Sequence, residues 1–271
     1  MHTHTIPSFF YNVASGVVEL GALPALSDNY IWFLRTQTHA CVVDPCESQP
    51  VLEWLQNNHL ELTDILITHN HPDHIGGIPD LLAAFPNINI WASDQSKLKF
   101  PARRLKPNDP VLLHSSIGLT LTVMDLSGHC AGHIGYLWEN KNTNQDPFLF
   151  TGDCLFSAGC GRILGDGSIE HAYESMQRLK ALKPNTLVCC THEYTLDNLQ
   201  FAQLIEPRNT VLVQAYEKSQ RLLQAGSATL PSNIGRELEI NLFLQAPSFE
   251  KFKNLRLLKD QFNVSPKSVC F

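Results

Sequence analysis

The sequence feature that most constrains this chain is the heptad Thr-His-Asn-His-Pro-Asp-His at residues 68–74, which follows an apolar run at residues 65–67. Its potential metal ligands are His69, His71, Asp73 and His74. Alternate side chains of an extended segment point the same way, so His69 and His71 can reach one point together. Pro72 then turns the chain, and Asp73 and His74 follow at the predicted start of a helix. The heptad therefore predicts ligands for a first metal through its first two histidines and for a second through Asp73 and His74.

The overall composition places few other restrictions on the protein. The chain has 271 residues, which suits one large domain or one domain with a smaller attachment, and 44% of them are hydrophobic. The net charge of −6 gives no general indication of nucleic-acid binding. No apolar run approaches the ~20 residues that span a bilayer, and the N-terminus lacks the pattern of a secretory signal. We therefore expect a cytoplasmic protein that binds neither nucleic acid nor membrane.

The eight cysteines are scattered along the chain, and none forms a Cys-x-x-Cys pair. A chain of this size can bury a core without disulfides, so we expect mostly reduced thiols in a cytoplasmic monomer. The adjacent Cys189 and Cys190 end a predicted strand, and we interpret them as small buried residues rather than a redox pair.

The pattern of apolar residues predicts a mixed α/β fold. Short apolar or β-branched segments predict strands at residues 17–20, 30–34, 40–43, 64–68, 88–91, 119–124, 135–138, 148–151 and 186–190. Helical periodicity predicts helices at 49–58, 74–84, 169–182, 195–206, 209–224, 234–244 and 249–262. The basic segment 94–110 predicts a solvated, irregular loop. We expect an N-terminal extension with a mobile end at residues 1–16, a mixed-sheet domain at 17–193, and a helical domain without strands at 194–271.

Three further potential ligands follow predicted strands. His129 lies in a glycine-flanked loop, Asp153 follows the strand at 148–151, and His192 follows the strand at 186–190. Each alone is a weak signal, because an aspartate after a strand is most often a turn or cap residue. Together they supply nitrogen and carboxylate ligands without a thiolate at the ends of strands. This ligand set suits Zn²⁺, with Fe and Mn as alternatives.

The number of ligands predicts a two-metal centre. The predicted first site consists of His69, His71 and His129, the second consists of Asp73, His74 and His192, and Asp153 bridges them. Two metals ~3.5–4 Å apart lower the pKa of a shared water, which yields a hydroxide for attack on a carbonyl or phosphoryl centre. His133 is an alternative ligand, but we expect it to support the ligands from behind.

This set of residues resembles the metal signature of the metallo-β-lactamase superfamily, and within it the chain is similar to glyoxalase II, the hydroxyacylglutathione hydrolases. The stretches that carry the narrower resemblance are residues 26–32, 151–156, 158–162, 191–195 and 256–262. The resemblance runs from about residue 21 to residue 263. It implies a four-layer αββα sandwich, with a catalytic domain at 17–193 and a helical glutathione-binding domain at 194–271.

The resemblance also implies a set of substrate-binding residues. They are Arg162, Tyr194, Arg256 and Lys259. Arg256 and Lys259 are three apart on a predicted helix, so they share one face and suit the glycine carboxylate of glutathione. A solvated helix face is the alternative for this pair. After Arg162 the chain reads Ile-Leu-Gly, where some family members carry an aromatic hydroxyl. A substrate contact from that loop is therefore not expected from the family pattern.

The activity that the resemblance implies is hydrolysis of S-(2-hydroxyacyl)glutathione to a 2-hydroxy acid and glutathione, in methylglyoxal detoxification. S-D-lactoylglutathione is the expected substrate, and a metal-bridging hydroxide is the expected nucleophile. We expect two divalent metal ions, Zn²⁺ first, with Fe or Mn as alternatives. Asp73 has a catalytic role in this interpretation, because it orients the nucleophile as well as binding metal. A thiol has a pKa of ~8.5, so the leaving thiolate requires no protein acid.

Three alternative functions remain at this point. The chain could be another hydrolase of the superfamily, such as a lactonase or a β-lactamase. It could be a mononuclear iron persulfide dioxygenase on the same fold, which metal analysis would distinguish. It could also be a metal-binding or interaction protein that kept the fold, although a complete ligand set beside a substrate-binding pattern argues against this.

Overall fold

Two β-sheets face each other at the centre of the protein in the computed structural model, which describes residues 3–14, 16–140 and 143–264. One apolar core fills the space between the sheets. A second core lies between the first sheet and the helices that follow its strands, and a third lies between the second sheet and the later helices. These layers confirm the predicted αββα sandwich with a helical C-terminal part.

The first sheet has seven strands in sequence order. They are β1 (Phe9–Val13), β2 (Gly16–Ala25), β3 (Asn29–Arg35), β4 (His39–Val43), β5 (Glu61–Leu66), β6 (Asn89–Ser93) and β7 (Arg103–Leu105). The first four pair antiparallel, and β4 to β7 pair in parallel. The helices that connect the parallel strands include α1 (Gln49–Asn58), α2 (Pro72–Ile75) and α3 (Ile78–Ala84). Parallel strands place their carboxyl ends along one rim of the sheet.

The second sheet has the strand order β15-β14-β11-β10-β9-β8. Its strands are β8 (Pro110–Leu112), β9 (Thr120–Asp125), β10 (Ile134–Trp138), β11 (Phe148–Gly152), β14 (Leu187–Cys190) and β15 (Ser232–Asn233). A separate short hairpin consists of β12 (Leu155–Phe156) and β13 (Gly159–Cys160). The later helices are α4 (Ile169–Lys180), α5 (Thr195–Ile205), α6 (Thr210–Gln224), α7 (Ile234–Ile240), α8 (Leu242–Gln245) and α9 (Phe249–Val264). Only the β11–β14 pair is parallel among the described pairs of this sheet.

Strand β3 shows how the layers are held together. Trp32 and Leu34 pack between the sheets, whereas Ile31 and Phe33 pack against the helices on the outer face. A strand that is buried on both faces has no need of polar residues at alternate positions, which explains its continuous apolar run. The Trp32 indole also donates a hydrogen bond to the Cys190 carbonyl at 2.9 Å, so β3 is tied to the second sheet.

Glu193 lies where β3 and the segment after β14 meet the loop that precedes β15. Its carboxylate accepts hydrogen bonds from the Tyr30 hydroxyl at 3.0 Å and from the Thr229 backbone N–H at 3.0 Å. The Thr229 hydroxyl donates to its other oxygen, and the Glu193 N–H donates to the Asp28 carbonyl at 2.9 Å. One side chain thus joins an early strand to a late loop.

The structure contains short strands in three segments for which the sequence analysis predicted none. The extension at 1–16 contains β1, which pairs along β2 and buries Tyr11 against the inter-sheet core. The basic loop at 94–110 contains β7, where Arg104 donates hydrogen bonds to the Ser93 and Ser96 carbonyls. The helical C-terminal part contains the short strand β15. Each of these strands lies at the edge of a sheet, where short strands with polar or charged residues are common.

Two predicted helices are each divided in the structure. The helix expected at 74–84 is interrupted at Gly76 and Gly77, and the Gly77 N–H donates to the Pro45 carbonyl at 2.9 Å. A Cβ at Gly77 would lie 2.4 Å from the Glu47 backbone, so only glycine permits this approach. The helix expected at 234–244 is divided at Asn241, whose side chain accepts from the N–H groups at the start of α8.

Among the residues that the structure describes, no helix is both long enough and apolar enough to cross a membrane.

Candidate active site

The predicted metal ligands meet at one rim of the two sheets. His69 and His71 follow β5, Asp73 and His74 belong to α2, His129 lies between β9 and β10, Asp153 follows β11, and His192 follows β14. Both sheets therefore contribute, each through the loops at the ends of its strands. Apart from His71 and Asp73 these residues are buried. Ligands at the ends of packed strands keep nearly fixed positions, which a metal centre requires.

One group of ligand atoms surrounds His71. Its Nδ1 atom lies 2.9 Å from His69 Nε2 and 3.0 Å from His129 Nε2. The Asp153 Oδ2 atom lies 3.7 Å from the same His129 nitrogen. Atoms this close can share one ion, because a zinc ion binds imidazole nitrogens at ~2.0–2.1 Å. The structure thus brings together the residues that were predicted for the first site.

The second group surrounds the other oxygen of Asp153. His74 Nε2 and His192 Nε2 each lie 3.4 Å from Asp153 Oδ1. Asp73 Oδ2 lies 3.9 Å from the His74 nitrogen and 3.7 Å from the His192 nitrogen. The two oxygens of Asp153 therefore face different groups, which is the arrangement expected of a bridging carboxylate.

Two buried atoms in this cluster have no hydrogen-bond partner among the described residues. They are His74 Nε2 and Asp153 Oδ1. A buried polar atom without a partner is costly, and it costs more when it belongs to a carboxylate. A divalent cation would satisfy both atoms, so the residues present fit a metal ion. Groups of His, Asp and Cys side chains with suitable spacing occur at the same place.

The second nitrogen of several predicted ligands has a fixed partner that the sequence analysis did not identify. Asp28 accepts from His192 Nδ1 at 2.8 Å, and Asp44 accepts from His74 Nδ1 at 3.0 Å. The Arg162 carbonyl accepts from His129 Nδ1 at 2.7 Å. Such bonds orient each ring and make its other nitrogen a better ligand. Asp28 and Asp44 each lie close to the end of a predicted strand, which was the available signal.

Asp44 has the most constrained surroundings of these partners. Its backbone has a φ of 51°, which is unusual for a residue other than glycine. Its carboxylate accepts from the Thr68 N–H at 2.8 Å and from the Thr68 hydroxyl at 2.6 Å, in addition to His74. Residues held in such a conformation are found most often where function requires a fixed side chain.

Gly152 sets the position of Asp153 at the end of β11. It has a φ of 48°, and a Cβ at this position would lie 2.4 Å from Thr68 Oγ1 and 2.8 Å from His133 Nε2. His133 itself is buried behind the cluster, where its Nε2 accepts from the Asp153 N–H at 3.1 Å. The chain therefore turns at Gly152, and the His133 ring supports Asp153 by accepting from the Asp153 backbone N–H.

The cluster has strongly perturbed protonation equilibria. Burial alone would lower the pKa of His192, but the Asp153 carboxylate nearby and the hydrogen bond to Asp28 raise it to about 9. Burial opposes ionisation of Asp153, yet His192 and His74 hold its pKa well below the usual range. Burial lowers the pKa of His69, and the neighbouring His74 adds to this effect. Mutually dependent titrating groups of this kind are typical of functional sites.

The predicted ligand set contained no thiol, but the Cys130 thiol lies beside the first group of ligand atoms. Its Sγ lies within 4.8 Å of ligand atoms of His69 and His71. Burial raises the pKa of this thiol to about 12, with the Asp166 and Asp153 carboxylates adding to the effect. Burial thus favours the protonated form of this thiol beside the first group.

A cavity of about 320 Å³ adjoins the cluster. It is lined by Phe156, Cys160, Arg162, Tyr194, Asp197, Asn198, Arg256 and Lys259. All four residues that were predicted to bind substrate belong to this set. The Tyr194 ring stacks on the His192 ring, with centroids 4.7 Å apart and planes 5° apart. The cavity and the metal cluster thus share a wall.

Arg256 and Lys259 do not lie on a solvated helix face, because they are 1% and 3% exposed. Arg256 Nη1 donates to the Cys160 carbonyl at 2.8 Å, and Nη2 donates to Asp260 at 3.0 Å. Lys259 Nζ donates to the Asp197 carboxylate at 2.8 Å. Both cations are held in place by acceptors, and both reach the cavity.

The loop after Arg162 turns towards the cluster. Arg162 itself is half exposed, with its Nε 3.4 Å from Asp260. The Leu164 N–H donates to the His129 carbonyl at 2.9 Å, and Asp166 accepts from the Ala131 N–H at 3.0 Å. The hydrogen bonds from this loop to other segments go to residues 128–131, whereas Ile163 packs on the core beneath the later helices.

Comparison with solved structures defines the class of protein. ETHE1 from Myxococcus xanthus superposes with a TM-score of 0.63 at 20% identity, covering 97% of this chain and 93% of that one. The BLEG-1 B3 metallo-β-lactamase superposes with a TM-score of 0.61 at 20% identity, covering 84% and 100%. Residues 26–192 match the profile of the metallo-β-lactamase superfamily. The chain therefore has the fold of this superfamily and matches its profile.

The narrower family follows from sequence comparison. Residues 193–262 match the profile described as the hydroxyacylglutathione hydrolase C-terminus. A hydroxyacylglutathione hydrolase from Synechococcus sp. (strain CC9605) is 42% identical over 90% of this chain and 97% of its own length. One from Actinobacillus pleuropneumoniae serotype 5b (strain L20) is 38% identical over 91% and 100%. The chain belongs to the hydroxyacylglutathione hydrolase family.

Proposed function

We propose that this protein hydrolyses S-(2-hydroxyacyl)glutathione thioesters, with S-D-lactoylglutathione as the substrate, in methylglyoxal detoxification. The observation that carries the proposal is the wall that the metal cluster shares with a cavity lined by Arg256 and Lys259. A thioester whose glutathione part lies in the cavity would present its carbonyl carbon to the cluster. The names of the similar hydrolases support the same substrate class.

We further propose that the cluster holds two divalent metal ions, Zn²⁺ in the first instance, with Fe or Mn as alternatives. The first ion would be held by His69, His71 and His129, the second by Asp73, His74 and His192, with Asp153 between them. When bound, the ions supply a Lewis acid for the thioester carbonyl and lower the pKa of a water molecule. Histidine and carboxylate ligands are compatible with all three metals.

The side chains of this centre have separate tasks in the proposed reaction. Asp28 and Asp44 hold the rings of His192 and His74, which keeps the ligand nitrogens aimed at one place. Asp73 is less buried than the other ligands, and its Oδ2 faces both histidines of the second group. We assign to Asp73 the catalytic task of orienting the attacking water by accepting its hydrogen bond. Fixed acceptors and donors of this kind need no reorganisation during reaction.

The leaving group explains why no acid is required in the cavity. The thiol of glutathione has an unperturbed pKa of ~8.5, so the thiolate can leave without a proton from the protein. Of the tyrosines, Tyr194 lies against the cluster, and burial raises the pKa of its hydroxyl above the usual value. In this proposal Tyr194 packs against the substrate and does not donate a proton to the leaving sulfur.

The glutathione part would be bound by the basic side chains of the cavity. Arg256 and Lys259 are proposed to bind the glycine carboxylate, and Arg162 the peptide part nearer to solvent. Their hydrogen bonds to Cys160, Asp260 and Asp197 fix the cations before substrate arrives, which reduces the entropy lost on binding. The proposed division of labour is a catalytic domain at 17–193 and a glutathione-binding helical domain at 194–271.

The test is a hydrolysis assay with S-D-lactoylglutathione, run with metal quantification on the same sample. About two metal ions per chain and rapid release of glutathione are expected. A lactoyl thioester of a small thiol serves as the control, because it cannot contact Arg256 or Lys259. One iron per chain with oxygen uptake on glutathione persulfide would instead support a dioxygenase. Turnover of simple lactones in place of the glutathione thioester would indicate another hydrolase.

We also propose a cytoplasmic monomer. The seven described cysteines are buried and unpaired, which suits a reducing compartment; Cys270 lies outside the described residues. Size-exclusion chromatography with light scattering tests the oligomeric state, and a mass near 30.4 kDa is expected.

A further inference from the structure

The short hairpin β12–β13 is held at its turn by a buried carboxylate from another part of the chain. Glu237 of α7 is 0% exposed. It accepts from the Ala158 N–H at 2.7 Å and from the Ser157 hydroxyl at 3.1 Å. The Ser232 hydroxyl also donates to it. Burial raises the pKa of Glu237, although these hydrogen bonds oppose the increase. Burial of a carboxylate costs free energy unless hydrogen bonds compensate for it.

Asn241 extends the same contact. Its amide donates to the Phe156 carbonyl at 3.1 Å, to the Gly159 carbonyl at 3.0 Å and to Glu237 at 2.9 Å. The amide oxygen accepts from the Phe243 N–H at 3.1 Å, which caps α8. Glu237 and Asn241, which lie close to the junction of α7 and α8, thus bind the hairpin backbone on both sides of its turn.

The turn of the hairpin is itself strained. Ser157 and Ala158 are the two residues between the paired Phe156 and Gly159, and Ala158 has a φ of 58°. A positive φ at the second central residue of a tight turn is usually supplied by glycine or asparagine. An alanine at this position is disfavoured unless its surroundings hold it. The 2.7 Å bond from the Ala158 N–H to Glu237 is one such constraint.

The hairpin leads directly to the residues of the active site. Asp153 precedes it by two residues and Arg162 follows it by two. Phe156 and Cys160 of the hairpin line the substrate cavity, and the Cys160 carbonyl accepts from Arg256. A shift of the turn would therefore move the cavity wall and the acceptor that fixes Arg256. Neither Glu237 nor Asn241 lines the cavity.

We propose that Glu237, with Asn241, is a positioning residue that sets the affinity for the glutathione part of the substrate by holding the β12–β13 hairpin. The proposal rests on the proposed function, since it concerns the same cavity. A positioning role and a purely structural role predict different kinetic results. A structural role would lower stability and affect all substrates alike, whereas a positioning role raises KM for the glutathione thioester selectively.

The central variant is Glu237→Met, which has a similar length but offers no acceptor to the Ala158 N–H. The expected result is a rise of about tenfold in KM for S-D-lactoylglutathione, because the variant removes the carboxylate that accepts from Ser157, Ala158, Ser232 and Asn241. We expect kcat to change less than about twofold, and kcat/KM for the small lactoyl thioester and metal content to stay at parent values.

The matched control is Glu237→Gln. Its amide oxygen can accept from Ala158 and Asn241, while its NH₂ group can donate to the hydroxyls of Ser157 and Ser232. We therefore expect a KM within about threefold of the parent. In the Glu237→Met background, Ala158→Gly relieves the strained turn and should recover part of the lost affinity.

A second variant keeps the test decisive if Glu237→Met does not fold. Asn241→Ser retains a residue that caps helices well but removes the donors to the hairpin, so it should raise KM selectively as well. Equal losses on both thioesters, or an unchanged KM in both Glu237→Met and Asn241→Ser, would overturn the proposal. A parent enzyme inactive on the glutathione thioester would contradict the proposed function instead, which is a separate outcome.

Discussion

The metal cluster and the substrate cavity share a wall but are built in different ways. The ligands of the cluster follow strand ends, and their second nitrogens bond to carboxylates and a carbonyl that are also near strand ends. The cavity combines a two-residue turn with helices, and its cations are fixed by a hairpin carbonyl and by carboxylates on helices α5 and α9. The difference implies that chemistry and substrate affinity can be damaged separately.

The largest difference between the effect on chemistry and the effect on substrate affinity is expected for Asp153→Asn. The two oxygens of Asp153 face different ligand groups, so an amide would leave one group without an anionic ligand. Loss of a supporting partner typically costs 10–100-fold in activity, so loss of the bridge should lower kcat by more than ~100-fold. Steady-state assays with metal quantification test this. Binding of glutathione, followed by calorimetry, should be nearly unchanged, and a parallel loss of glutathione binding would contradict the separation.

A smaller effect is expected for Asp44→Asn. The amide can still accept from Thr68, but it no longer places a negative charge beside His74 Nδ1. We expect metal affinity to fall by about 10–100-fold, with KM for the thioester unchanged once metal is saturating. Competition with a chelator measures the affinity. Asp166→Asn is a matched control, because Asp166 accepts from the Ala131 N–H and contacts no ligand side chain among the described hydrogen bonds.

On the cavity side, Lys259→Met should raise KM for the glutathione thioester by about tenfold, since a charged hydrogen bond contributes ~1.5–3 kcal/mol. The apolar stem of methionine can still pack on the Phe201 and Phe262 rings that lie under the ammonium group. Metal content and turnover of the small thioester should match the parent. Lys251→Met, on the first turn of the same helix and away from the cavity lining, controls for loss of a positive charge.

The effect furthest from catalysis concerns the stability of the metal-free protein. The pKa of His192 is raised to about 9 in the folded state. The stability that its protonated ring contributes is fully present below the unfolded pKa of ~6.5 and is lost as the pH rises towards 9. The free energy of unfolding should therefore decrease between pH 6.5 and 9. Chemical denaturation across this range, with chelator present, measures it. His192→Gln should abolish most of the decrease, and a slope unchanged by this variant would assign it to other groups.

The sequence was sufficient for the central strands and the ligand cluster for a physical reason. Strands such as β3 and β5 are buried on both faces, so their apolar runs are unambiguous. The ligands are rare residue types at fixed distances from those runs. Edge strands were missed because β1 exposes alternate residues, and because β7 has only three residues and begins with two exposed arginines.

The partners of the ligands could not be predicted in the same way. Asp28 and His192 are separated by 164 positions, and their contact depends on how the two sheets pack. Asp44 and His74 are separated by 30 positions, and their contact depends on the pairing of β4 with β5. The state of Arg256 and Lys259 was left open between binding and a solvated face, since helical spacing alone cannot show burial. The hairpin β12–β13 and its contact with Glu237 depend on tertiary packing for the same reason.

Glu193 has a consequence for how such proteins can recombine. The superfamily profile ends at residue 192 and the family-specific profile begins at residue 193, so the junction looks suitable for joining segments of different relatives. Yet Glu193 binds Tyr30 on one side of the junction and Thr229 on the other. A chimera crossed over at this point would keep Glu193 with Thr229, but its carboxylate would face a foreign residue wherever the new N-terminal segment lacks a tyrosine at position 30. An exchange of either segment therefore has to preserve the hydroxyl group at position 30.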